Sequence, residues 1–232
     1  MALTGKRSMI ENIKENLSKI QEQIAPYTPN IIAVTKYYGI DAILNAYNAG
    51  LRNFGESRAN EAIKKINSLP EEVKLNSKFH FIGHLQTNKV NKIVKNFDFI
   101  HSIDSLRVAQ AVSSEALKIQ KRQKVFLQIN NANEEQKYGF SKKKLDESFE
   151  EILSLEGLEI LGLMNIAPLT DNKNLLENLF EDVKETQANL EIRYKYNLRE
   201  ISMGMSNDYS IAVKHGATML RIGRKLFTWT QT

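Results

Sequence analysis

The 232-residue sequence contains no cysteine, which removes disulfides, thiolate nucleophiles and cysteine-held metals together. Histidine is scarce as well, with four residues. His80 and His84 lie four apart, but on a strand that spacing puts them on one face about two residue pairs apart. That is too far for one ion, so we expect no metal site. No apolar run approaches the roughly 20 residues that a membrane span needs. The segment up to Met9 has neither the apolar core nor the small-residue cleavage site of a secretory signal. Four prolines and eleven glycines do not gather into a linker or a low-complexity tract. A Gly-x-Ser-x-Gly elbow, a P-loop and a dinucleotide glycine fingerprint are also missing. From these absences we expect one domain over residues 1–232, cytoplasmic and monomeric, away from membranes.

What remains is ordinary globular material, 42% hydrophobic and 25% charged, with a formal net charge of +5. The basic excess does not point to nucleic acid. Lys121-Arg122-Gln123-Lys124 and Lys142-Lys143-Lys144 lie between or at the start of helical patterns, without the interleaved aromatics of a stacking platform.

Two periodicities alternate along the chain. Ile10, Ile13, Leu17, Ile20 and Ile24 recur at helical spacing over residues 8–25. The run Asn30-Ile31-Ile32-Ala33-Val34-Thr35-Lys36 follows, short and β-branched, and reads as a buried strand ending on a lysine. Further helices are expected at 41–49, 57–68, 86–96, 105–120, 141–154, 172–194 and 207–215. They are interleaved with strands at 51–54, 78–82, 99–103, 124–129, 158–164, 200–203 and 218–222. Such alternation requires crossover connections and hence parallel strands. Eight units suggest a closed (β/α)8 TIM-type barrel with an additional N-terminal helix, an open doubly wound sheet being the alternative. The residues after the eighth strand are too few for a covering helix, so the N-terminal helix is expected to cover the seam.

In such a barrel the carboxyl ends of the strands form the functional rim. A partly desolvated lysine amine there is a Schiff-base former, which makes Lys36 the leading candidate. The stretch Ser202-Met203-Gly204-Met205-Ser206-Asn207-Asp208 runs from strand seven through a glycine turn, and Arg221-Ile222-Gly223-Arg224 ends strand eight. Small residues, a hydroxyl, free amides and guanidinium groups after strands seven and eight suit a phosphate. An amine facing a phosphate cradle points to a phosphorylated carbonyl compound. Pyridoxal 5'-phosphate (PLP) fits that description, and a sugar phosphate in a class I aldolase is the rival.

Ala33-Val34-Thr35-Lys36, Phe54-Gly55-Glu56, Phe79-His80-Phe81-Ile82-Gly83 with Leu85-Gln86-Thr87-Asn88-Lys89, Gly162-Leu163-Met164, Ser202 to Asp208, and Arg221-Ile222-Gly223 together resemble the pyridoxal phosphate homeostasis protein family. These are single-domain relatives of the alanine racemase N-terminal barrel. The resemblance spans about residues 10–227. It implies PLP held as a Schiff base on Lys36, its phosphate at Ser206, Gly223 and Arg224, Arg221 at the pyridine nitrogen, and Ser57 and Met205 among the contacts. The chain departs from the family pattern at Ser57, where Asn is usual, at Asn60, where Gln is usual, and at Thr228, where Gly is usual. The implied role is PLP storage and delivery, with PLP-dependent apoenzymes as recipients and no catalytic residue. In the racemases the second acid or base comes from a β domain and a partner subunit, for which this chain leaves no room after Thr232. A racemase-like enzyme using the barrel alone is the alternative.

Overall fold

The computed structural model describes residues 8–132, 134 and 136–228. The termini on which the domain boundaries also rest, 1–7 and 229–232, lie outside the described residues. Eight strands close into a parallel barrel in sequential order: β1 (Asn30–Val34), β2 (Asn53–Glu56), β3 (Lys78–Phe81), β4 (Phe99–Ile103), β5 (Gln123–Ile129), β6 (Leu158–Asn165), β7 (Glu200–Met205) and β8 (Met219–Ile222). The expected TIM-type barrel is therefore present. Closure is made by β1 against β8, which sets Ile32 beside Arg221 and Ala33 beside Ile222.

Helices α1 (Met9–Ile24), α2 (Ile40–Asn48), α3 (Ala59–Ser68), α4 (Glu71–Leu75), α5 (Val90–Asn96), α6 (Leu106–Lys118), α7 (Lys142–Leu153), α8 (Lys173–Tyr194), α9 (Tyr209–Ala212) and α10 (Arg224–Phe227) surround it. Side-chain caps start the longer ones. Ser8 and Glu11 form a reciprocal capping box on α1, and Ser105, Ser141 and Asn172 accept the N3 amides of α6, α7 and α8.

Three local expectations are corrected. The first strand ends at Val34, with Lys36 in a turn beyond it. The expected helix at 86–96 opens as a 3-10 turn over Thr87–Lys89. Helix α4 follows Pro70 unannounced, while the tail holds only the four-residue α10, short of a covering helix of usual length. Helix α1 does cover the closing seam: Asn16 donates through Nδ2 to the carbonyls of Leu226 (3.1 Å) and Thr228 (3.0 Å).

Apolar packing forms two layers. The larger lies between strands and helices. The smaller joins Ile32 of β1, Phe126 of β5, Leu161 and Met164 of β6 and Met219 of β8. Strands one and five stand on opposite sides of the barrel, so side chains from both can meet only inside it. That contact marks Ile32, Phe126 and Met219 as facing inward.

Candidate functional site

Ile32 points inward, and two residues on, Val34 shares that face. Val34 and Lys36 line a cleft of about 450 Å³ at the carboxyl ends of the strands. Lys36 sits in a β-turn closed by Tyr38 N–H donating to Thr35 O at 3.0 Å. Its half-buried amine lies 5.0 Å from the Tyr37 ring centroid. Among the described residues it makes no hydrogen bond or ion pair.

The opposite wall comes from the ends of β7 and β8. Gly204 adopts φ +90°, and a Cβ there would lie 2.7 Å from Ala212 Cβ and 2.9 Å from Leu220 Cδ2, so the strand can turn over α9 only with glycine. The turn is fastened by Met205 N–H donating to Asp208 Oδ1 and by Asp208 N–H donating to Met205 O at 3.1 Å. Burial raises the Asp208 carboxyl above its ordinary range, against the opposing pull of the Met205 amide and of Arg221. The N–H groups of Ser206, Asn207 and Gly223 have no hydrogen-bond partner among the described residues. Among the described residues Ser206 Oγ accepts only Lys225 N–H, at 3.4 Å. Gly223 faces the strand that leads to the lysine turn, where an added Cβ would meet Val34 Cβ and O at 3.4 Å, an ordinary contact.

Arg221 makes the floor, almost fully buried. Its Nη1 donates to Ser202 O (2.7 Å) and Ser202 Oγ (2.8 Å), and its Nη2 to Asn165 O (2.7 Å), while Nε takes no partner among the described residues. Burial lowers its pKa to about 10, partly offset by Asp208, so the guanidinium stays charged at neutral pH.

Beneath it a polar chain crosses the barrel. Ser202 Oγ lies 2.8 Å from His101 Nδ1, His101 Nε2 lies 2.9 Å from His80 Nδ1, and His80 Nε2 lies 3.0 Å from Asn53 Oδ1. The rings stack on apolar neighbours, His80 on Phe99 at 4.3 Å and His101 on Phe126 at 4.2 Å. Burial lowers the His80 pKa to about 3, and burial, then His80, then Arg221 hold His101 well below its ordinary value. Both rings are therefore neutral. Arg221 can only donate and Asn53 Oδ1 can only accept, so the proton order runs one way. Ser202 donates to His101, His101 to His80 and His80 to Asn53.

The structure thus brings Lys36, Met205, Ser206, Arg221, Gly223 and Arg224 to one cleft. Ser57 does not join them. It lines a neighbouring groove of about 230 Å³ with Arg58, His84 and Lys89. Gly83 packs so closely there that an added Cβ would lie 2.3 Å from Ser57 O. Sequence reasoning missed His101 and Lys65. The inward parity of His101, two residues after Phe99 in an apolar strand, was the available signal. Among the described residues no group of three metal-ligating side chains gathers.

Comparison with known proteins finds relatives over nearly the whole chain. The family model described as the alanine racemase N-terminal domain matches residues 9–230. The pyridoxal phosphate homeostasis protein of Synechocystis sp. is 39% identical over 212 residues, covering 90% of this chain and 96% of that protein. Its counterpart from Aquifex aeolicus is 34% identical over 225 residues, covering 93% and 97%. Among solved structures, PipY of Synechococcus elongatus with PLP bound is 36% identical with a TM-score of 0.84, covering 93% of this chain and 99% of that one. Alanine racemase of Clostridium difficile, 15% identical with a TM-score of 0.78 over 96% of this chain and 58% of its own, shares the fold.

Proposed function

The chain belongs to the family of pyridoxal phosphate homeostasis proteins, within the wider alanine racemase N-terminal domain family, and on that premise we propose that it holds PLP at the barrel mouth for storage and delivery. The observation that carries the proposal is the convergence of one unpaired amine, one buried guanidinium and three unpartnered amides on a single cleft.

That donor set fits the cofactor. Bound there, PLP supplies an aldehyde with which a primary amine condenses. Lys36 would be that amine. Ser206 Oγ and the N–H groups of Ser206, Asn207 and Gly223 would hold the phosphate, with Arg224 adding charge at the rim and Met205 lining the cleft. Arg221 would face the ring nitrogen through its free Nε. A fixed cation disfavours protonation there and weakens the ring as an electron sink, which favours holding the cofactor over turning substrates over. In this proposal the protein is a cytoplasmic monomer, and its recipients are PLP-dependent apoenzymes. A chain without cysteine suits a reducing compartment.

The test is the visible spectrum of purified protein, followed by borohydride reduction and peptide mapping. The expected result is yellow protein labelled at Lys36, with Lys36→Ala colourless yet folded. Colourless wild-type protein, or an unchanged spectrum in Lys36→Ala, would refute it.

A further inference from the structure

We infer that Lys65, paired with Glu56, is a positioning residue that clamps both ends of the turn carrying Lys36; the inference rests on the proposed use of Lys36 as the cofactor's amine.

Lys65 lies in the last turn of α3, outside the barrel. Its ammonium has three hydrogens and three acceptors: Thr35 O at 2.9 Å, Tyr38 O at 3.1 Å and the carboxylate oxygen Glu56 Oε1. Thr35 and Tyr38 are the first and last residues of the β-turn in which Lys36 is second. One partly buried cation therefore holds both carbonyls at the turn's ends. Glu56 Oε1 also accepts the Thr35 hydroxyl at 2.7 Å, and Thr35 N–H donates to Gly55 O at 3.0 Å. The far end is held too, with the Tyr38 ring centroid 4.7 Å from that of Phe227. Every residue around Lys36 except Tyr37 is fastened, while the Lys36 side chain is left unpaired.

A plain structural ion pair is the competing explanation. Both side chains are largely withdrawn from water, Lys65 at 14% and Glu56 at 1% exposure, and replacing such a pair with apolar groups is often neutral for stability. What apolar packing could not supply is direction: three donors aimed at two turn carbonyls and the carboxylate that holds Thr35. With all three hydrogens engaged, Lys65 also does not compete as a nucleophile.

The experiment compares wild type, Lys65→Met/Glu56→Gln and Lys65→Arg by two measurements. One is the equilibrium binding of pyridoxine 5'-phosphate, which has the ring and phosphate but no aldehyde. The other is the rate at which PLP becomes attached to Lys36 in a borohydride-trappable form. A small displacement of a reacting group can lower rates by about 100-fold, so attachment should slow by about tenfold or more in the double variant, with alcohol binding changed by less than about twofold. Lys65→Arg keeps the charge beside Glu56 and should fold even where the double variant does not. Its planar fork cannot address the same three oxygens, so it should show the same split. Attachment at wild-type rate, or attachment and alcohol binding falling together in the variants that fold, would overturn the inference. Wild-type protein that never attaches PLP would instead defeat the proposed function.

Discussion

Acid should destabilise this protein through the two histidines inside the barrel, and the effect can be isolated. His80 has a folded pKa of about 3 against an ordinary value of 6.5, and His101 is displaced in the same direction. Between those limits the unfolded chain binds protons that the folded chain refuses, so stability falls as pH falls from 6.5 toward 3. At about 1.4 kcal/mol per unit, lowering the pH from 7 to 5 removes about 2 kcal/mol through His80, and His101, displaced the same way by burial, adds to the loss. That is a large share of the roughly 5–15 kcal/mol of a typical domain. Urea unfolding at both pH values, on wild type and on His80→Gln/His101→Gln, gives the assay. Glutamine keeps hydrogen-bonding capacity and does not titrate. Every other group is common to both proteins and cancels in the comparison. Wild type should lose at least about 2 kcal/mol more than the variant; equal losses, within the roughly 0.5 kcal/mol of ordinary non-additivity, would refute neutral burial of the pair.

Two further substitutions follow from the geometry. Ser206→Ala removes one hydroxyl donor from the proposed phosphate cradle and should weaken PLP binding by about 1.5–3 kcal/mol, roughly ten- to hundredfold, in a fluorescence titration that leaves thermal stability unchanged. Gly162→Ala would set a Cβ 1.7 Å from Glu200 O on the paired strand, forcing β6 from β7. It should lower unfolding free energy by at least about 3 kcal/mol, read from the urea midpoint.

The barrel was legible because its strands are short apolar runs between amphipathic helices, and that alternation leaves few other topologies. The cleft was legible because glycine, hydroxyl and guanidinium residues cluster after strands seven and eight, where a barrel collects its anion site. Other features left no local trace. Helix α4 is five residues long, less than two turns, and shows no period. His101 and Ser202 are 101 positions apart and become neighbours only because β4 and β7 face each other across the interior. Lys65 reads like any cation on a helix face, and only the fold reveals that it reaches the Thr35–Tyr38 turn. The family resemblance implies Ser57 among the cofactor contacts, but the turn after β2 carries it into the adjoining groove.

The polar interior follows from placing a cation on the barrel floor. An arginine at 3% exposure needs acceptors, and the carbonyls of Ser202 and Asn165 supply two without adding charge. Ser202 Oγ is the third, and once it accepts from Arg221 its own proton must find an acceptor inside an apolar barrel. His101 supplies that acceptor only while neutral. Its remaining N–H then needs a partner, which His80 provides, and His80 in turn ends on half-buried Asn53 near the opposite face. From Ser202 to Asn53 each member is satisfied by the next, which is what makes a buried network tolerable. Protonating either histidine would add a second positive charge beneath Arg221 and reverse the hydrogen-bond order toward an arginine that cannot accept. The low pKa values of the histidines and the persistent charge of Arg221 are thus two aspects of one arrangement, and a ligand at the mouth meets a floor of fixed positive charge.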